Sequence, residues 1–259
     1  ATVYGKDWTW ILDHYYGGTS MGAVPAGTRM TVRLTAQDNL QTAVIASGGN
    51  AFWVEGPAQS FKSMVAREVE QVWMGDYFQV KYQVWGKAGA ADCPSSTDSL
   101  ASWVSLGTRT TKTTTTTATG TKVAIPVVTF SVPGADDPAT PAASLLGVCD
   151  SAGAVLHYRG KIVAANGTAG ENRTVNDVEI ESYVRGVIPR ESPASWADRG
   201  NGTGINALKA QAVAARSYGL AQNRYSFAKS CDTTNCQVYG GAGSRTSPTA
   251  HVAVREDWR

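Results

Sequence analysis

Two periods of apolar residues succeed one another along this chain. Met30 to Leu34, Thr42 to Ile45, Tyr77 to Trp85, Lys122 to Phe130 and Val155 to Ala164 alternate or cluster β-branched and aromatic side chains, as half-buried strands do. Within the last of these, His157, Tyr158, Arg159, Gly160 and Lys161 predict a hairpin turn ahead of a second strand. The period then becomes helical. Val178, Tyr183, Val184 and Val187 fall near one side of a 3.6-residue repeat, and Asn176 and Asp177 are good N-cap residues, so a helix is expected to start near Asp177. Pro189 limits it, because the ring removes a donor and crowds the carbonyl four residues back; Pro193 pushes Ser192 toward extended backbone. Glu191 is thereby expected on a constrained turn between two prolines.

A second helix is expected from an N-cap at Asn206 to about Gln222, with Ala at 207, 210, 212, 214, 215 and 221 giving high propensity and a surface that other backbones can approach. Seven-residue spacing places Lys209 and Arg216 on one side of it and Gln211 and Tyr218 on another. One side suits polar substrate and the other the core. Tyr4 to Tyr16 reads as a short helix stopped at Gly17 and Gly18. Strands first and helices after them indicate an α+β fold, mixed and strand-rich.

Residues 87–150 have a different texture. Gly, Ala, Ser, Thr and Pro dominate from Ala88 to Asp98, and Thr110 to Thr119 is nearly all threonine, which favours extended backbone and an exposed edge strand or loop. The expected plan is an N-terminal helical segment at 1–29 and a domain at 30–259 carrying a β-rich insertion at about 87–150. Within the insertion, Ser102 to Leu106 is expected to pair with Val123 to Phe130; a flexible linker is the competing reading. No repeat of solenoid period is visible.

Composition narrows the classes. A chain of 259 residues with 42% hydrophobic and 17% charged residues is a folded one, and a net charge of +2 leaves no electrostatic footprint for nucleic acid and no polybasic run for an anionic membrane. No run approaches the roughly 18 to 20 apolar residues of a spanning helix. No basic-then-apolar leader stands at Ala1, so an exported form is expected to have lost its signal. His14, His157 and His251 have no spacing that suggests a metal site. Asn166, Asn172 and Asn201 begin sequons that carry meaning only in a eukaryotic secretory route. Trp8, Trp10, Tyr15 and Tyr16 fit a buried helix face better than a sugar-stacking surface.

Val175 and Asn176, ESYVRGV at Glu181 to Val187, PRESPASW at Pro189 to Trp196, LKAQAVAARSYGL at Leu208 to Leu220 and CDTTNCQVY at Cys231 to Tyr239 follow one another in order. This set resembles the SpoIID/LytB family, named for stage II sporulation protein D and a cell-wall amidase enhancer. The resemblance is strong from Thr174 to Gly240. Lys6 to Thr19 is similar to a segment of secreted actinobacterial members, and Thr28 to Leu34 to the family's first strand. Ser192 stands where the family usually has Met, and Asn235 where many members have His.

The resemblance implies a peptidoglycan lytic transglycosylase, cleaving the β-1,4 bond between N-acetylmuramic acid and N-acetylglucosamine and leaving a 1,6-anhydro end. Ordinary glycosidases use two carboxyl groups. A lytic enzyme needs one, because the muramoyl C6 hydroxyl is the internal nucleophile. Glu191 is the implied general acid and base, with Trp196, Val187 and Ile188 available as an apolar wall. Ser195, Lys209, Gln211, Arg216 and Tyr218 are implied to line the glycan cleft, with Asp232, Gln237 and Tyr239 opposite; amides, guanidinium forks and aromatic faces suit hydroxyl and acetamido groups. From the residues alone, Arg216 is equally a partner for Glu179 or Glu181, and Tyr218 equally a core residue. If Glu191 is catalytic, it should line a groove and face the polar side of the second helix.

The implied partners are peptidoglycan glycan strands and a cell-wall amidase, the implied location is secreted or wall-facing, and neither cofactor nor metal is expected. Four cysteines allow three pairings. An oxidising compartment favours Cys231 with Cys236 and Cys93 with Cys149, against four reduced thiols or a metal at Cys231 and Cys236. Two further readings remain: a non-catalytic glycan-binding module that enhances an amidase, and a structural wall-associated domain.

Overall fold

The computed structural model describes residues 24, 27–46, 52–54, 58–59, 61–74, 77–88, 93–94, 100–115, 122–123, 128–150, 152–166 and 171–242. The chain divides into a unit of 1–28 with 258–259 and a unit of 29–257, and every element below lies in the second. The helix expected at Tyr4 to Tyr16 falls outside the described residues.

In chain order come β1 (Arg29–Arg33), β2 (Thr42–Ala46), β3 (Phe52–Val54), β4 (Ala58–Gln59), β5 (Ser63–Trp73), β6 (Tyr77–Lys87), β7 (Val104–Thr115) and β8 (Lys122–Val123). They are followed by β9 (Val128–Ser131), β10 (Leu146–Cys149), β11 (Val155–Tyr158), β12 (Lys161–Asn166), β13 (Asn172–Glu179), helices α1 (Ile180–Glu191) and α2 (Ile205–Ala221), and β14 (Ser230–Cys231). Among the described residues these strands form two sheets, ordered β14-β1-β13-β12-β9-β3-β4 and β11-β10-β2-β5-β6-β7-β8. The fold is strand-rich α+β, as the two periods predict.

Four local expectations are overturned. Lys122 to Phe130 is not one strand: Val123 pairs with Thr114 of β7, whereas Val128, Thr129 and Phe130 pair with β12 in the other sheet. Ser105 pairs with Trp85 of β6, so Ser102 to Leu106 does not meet Val123 to Phe130. Burial explains the split, because Val128 and Phe130 are fully enclosed, and a strand ending on β7 cannot also place them there. Nor is Val155 to Ala164 a hairpin. β11 pairs with β10 and β12 with β13 and β9, so the chain changes sheets at Arg159 and Gly160. That step is fixed by Arg159 donating to the carbonyls of Asp137 at 2.6 Å and Thr140 at 2.9 Å. Strands from 87–150 are built into both sheets, and Thr110 to Thr115 lies in β7, flanked by β6 and β8.

The fourth correction concerns the first helix. Asn176 and Asp177 stay in β13, opposite Val32 and Thr31 of β1, and the helix begins only at Ile180. Glu179 caps it, its Oε2 accepting from the backbone N–H groups of Glu181 at 3.0 Å and Ser182 at 3.2 Å. Strand pairing on both sides outcompetes the local capping tendency of Asn176. α2 lies close to its expected bounds, entered from Gly204 and left at Gln222.

The core joins the first sheet to α1. Met30, Val32, Phe130, Ile162, Val178, Tyr183, Val187, Ile188 and Leu208 are fully buried. Val187 and Ile188 therefore belong to this core, while Trp196 is exposed on the short turn Ala194–Asp198. Both expected disulfides form, Cys93 with Cys149 and Cys231 with Cys236. The first packs in an apolar cluster with Ala43, Ile45, Val65 and Leu100. No helix among the described residues is long and apolar enough to cross a membrane.

Two glycines set how closely the helices are approached. Tyr183 and Met30 lie against Gly219 of α2, and the ring of Tyr239 lies so close over Gly186 of α1 that a Cβ there would fall among its atoms. Gly186 also accepts from the N–H of Gly240 at 3.1 Å. Gly186→Ala should therefore overpack this contact and cost about 1 to 3 kcal/mol, read as a lower urea midpoint with an unchanged m-value.

Candidate functional site

Glu191 is the last residue of α1, followed by extended Ser192, whose N–H still bonds the carbonyl of Ile188 at 2.9 Å. The expected turn is thus a helix terminus that tolerates Pro189 within its final turn, where a missing donor leaves only the carbonyl four residues back without its usual partner. The carboxylate is exposed and is held at both oxygens. Gln211 of α2 donates its Nε2 to Oε2 at 2.9 Å, and the backbone N–H of Val238 donates to Oε1 at 3.0 Å. No cation pairs with Glu191 among the described residues.

Each of those donors is placed by buried structure. Tyr183 lies on Gly219, Glu181 on Arg216 and Glu191 on Gln211, so the start of α1 lies beside the later part of α2 and its end beside the earlier part. Arg216 is buried and makes a fork to Glu181, Nε to Oε1 at 2.8 Å and Nη2 to Oε2 at 2.6 Å. Val238 is placed by its neighbours in sequence. Gln237 turns inward and accepts from the Tyr183 hydroxyl at 2.8 Å, while the Tyr239 hydroxyl donates to Oδ1 of Asn176 at 2.7 Å. The amide of Asn176 completes its bonding to the carbonyls of Arg159 at 2.8 Å and Lys161 at 3.0 Å. The rings of Tyr183 and Tyr239 stand 5.2 Å apart. Burial pushes the Tyr183 hydroxyl up to about 12 and that of Tyr239 well above its ordinary value, so both remain donors.

The disulfide closes the turn that leads into this segment. Cys231 ends β14 beside Arg33 of β1, and Cys236 donates its N–H to the carbonyl of Thr233 at 3.0 Å. Asp232 faces Thr35, accepting from its N–H at 3.0 Å and its hydroxyl at 2.6 Å. Burial raises the Asp232 carboxyl above its ordinary range, and the Thr35 bonds only partly oppose this. Among the described residues no group of three or more His, Cys, Asp and Glu is placed to hold a metal.

The sequence-derived set therefore separates by location. Glu191 and Gln211 are in contact. Ser195 is exposed on the turn after α1, Lys209 is half-buried on α2, and Tyr218 is exposed on α2 with its hydroxyl accepting from Arg224 at 3.2 Å. Arg216, Gln237 and Tyr239 are buried and bonded to protein groups, and Asp232 is engaged with Thr35. The group that sequence reasoning missed is the Val238 N–H. A backbone donor has no residue signature; its only trace was the flanking pair Gln237 and Tyr239.

Two substitutions check this geometry. Tyr239→Phe strands the buried Oδ1 of Asn176 and should cost about 1 to 3 kcal/mol by urea denaturation. Asp232→Asn keeps an acceptor for Thr35 but removes the charge. A carboxyl whose folded pKa is raised binds its proton more tightly when folded, so it favours folding in acid and loses that contribution as pH rises through the folded value. The variant should be at least as stable as the parent at pH 7, with the difference shrinking toward pH 3.

Residues 168–257 match the family model described as stage II sporulation protein, SpoIID. An uncharacterized protein of Brachyspira hyodysenteriae (strain ATCC 49526 / WA1) is 42% identical over 72 residues, which are 26% of this chain and 17% of that protein. The amidase enhancer of Bacillus subtilis (strain 168) is 47% identical over 58 residues, 22% of this chain and 7% of that protein. The matched parts are thus less than a fifth of either relative's length. No solved structure matches the chain. The stretch that carries β13, both helices and the disulfide turn is a SpoIID-family segment.

Proposed function

We propose that this protein acts on bacterial cell-wall glycan as a lytic transglycosylase with Glu191 as its single general acid and base. The observation that carries the reading is an exposed carboxylate, free of any cation among the described residues, with each oxygen held by a neutral donor. A carboxylate kept only for stability is more simply paired, as Glu181 is with Arg216. Glu191 would protonate the glycosidic oxygen as the bond to the muramoyl anomeric carbon breaks. The C6 hydroxyl then attacks that carbon and returns its proton to Glu191, so no second carboxylate and no water are needed. Ser195, Lys209 and Tyr218 are the members of the sequence-derived set that this reading assigns to glycan contact; they sit on the turn after α1 and on α2. Peptidoglycan strands outside the cell are the substrate, and the two disulfides suit that compartment.

A second reading is favoured by the likeness to the amidase enhancer of Bacillus subtilis. In it the protein binds glycan and stimulates a cell-wall amidase without breaking a glycosidic bond. Incubation with purified glycan strands, with and without stem peptides, separates the two by mass spectrometry of anhydro-muramoyl ends. Glu191→Gln should lower their formation by at least about a hundredfold, the range of general acid–base catalysis, while strand binding changes little. Anhydro ends at the parent rate from Glu191→Gln, or none from the parent protein, would sink the lytic reading.

A further inference from the structure

The two oxygens of Glu191 are not equivalent, and the difference assigns the proton. Oε1 faces the N–H of Val238, a group that can donate but never accept, so that oxygen stays an acceptor whatever the charge on the carboxyl. Oε2 faces the side-chain amide of Gln211, which presents NH2 in one orientation and C=O in the other. The carbonyl oxygen of Gln211 holds no hydrogen bond among the described residues, so a half-turn of the amide breaks only the bond to Glu191. We propose that Oε2 is the oxygen that carries the mobile proton and that Gln211 is a positioning residue, inverting its amide to match each protonation state, rather than a ligand of the glycan. The inference rests on the lytic reading above.

In the first half-reaction the proton leaves Oε2 for the glycosidic oxygen. That oxygen keeps the electron pair of its bond to the muramoyl anomeric carbon and departs as the hydroxyl of the leaving sugar. The ionised carboxylate is then met by N–H donors on both sides, from Val238 and from Gln211. In the second half-reaction the C6 oxygen forms its bond to the anomeric carbon and its proton passes to Oε2. The Gln211 amide turns so that its carbonyl can accept from the new O–H. Protons and electrons balance over the cycle, and the carboxyl ends as it began.

The structure explains why an amide serves here. Gln211 is half-buried on α2, whose position relative to α1 is fixed by the Arg216–Glu181 fork and by Tyr183 against Gly219, so its reach to Glu191 is set by packing and not by substrate. A residue acting through Glu191 should affect the chemical step, whereas a glycan ligand should affect substrate binding.

The test is steady-state kinetics on stem-peptide-free glycan strands for the parent protein, Gln211→Leu and Gln211→Lys, with thermal melts confirming that the variants fold. Gln211→Leu should lower kcat about ten- to hundredfold, the scale of a misplaced catalytic group, with KM within about twofold of the parent. Gln211→Lys can donate to Oε2 but cannot accept from it, and should be at least as slow. A rise in KM at unchanged kcat for Gln211→Leu makes Gln211 a glycan ligand and overturns the assignment. Parent-like turnover by Gln211→Lys overturns the inversion. Absence of anhydro ends from the parent protein overturns the lytic reading and the inference together.

Discussion

The arrangement around Glu191 depends on a buried set of neutral hydrogen bonds that ties the disulfide turn to the sheet. Tyr239 reaches Asn176 in β13, Tyr183 in α1 reaches Gln237, and the two tyrosine rings pack against each other. Asn176 uses both of its amide hydrogens and its oxygen, which is what a fully buried amide requires to avoid a desolvation penalty. Val238 lies between the two anchored residues and has its N–H aimed by them. A segment with little regular structure is thereby anchored to both α1 and β13.

The second support is the packing of the helices. The Gly186 contact lets the turn approach α1, the Gly219 contact lets Tyr183 approach α2, and the Arg216 fork closes the end remote from Glu191. Charge is used at that remote end, where it braces. At Glu191 the partners are neutral donors, which orient a carboxyl without committing it to a permanent counter-ion. That division between a paired acid at the start of α1 and an unpaired one at its end links the packing to the proposed chemistry.

Much of the framework was legible from local pattern. The Ala-rich run gave α2 nearly to the residue, because propensity and packing agree there. The strands at Met30, Thr42 and Tyr77 follow from alternation. β13 was not legible, since Asn172, Arg173, Thr174 and Asn176 break the apolar alternation of a strand yet lie buried, bonded to Leu40, Asn39, Thr42 and Tyr239. The same distant partners moved the helix start from Asp177 to Ile180. The change of sheet at Gly160 was equally hidden, because a turn between two apolar runs looks the same whether the second strand returns to the first or leaves it.

The amino-acid order alone determined which carboxylate stands out, the α+β character and the helix that faces it, because these rest on proline chemistry, periodicity and contiguous motifs. Which of the polar side chains look outward was decided only by the tertiary structure. Gln237, Tyr239 and Arg216 are of the types that bind sugars, but burial turned them into braces, and the donor they serve to place belongs to the backbone. A side chain's type is local information; its partner is set by contacts between residues far apart in the chain, as Tyr239 and Asn176 are.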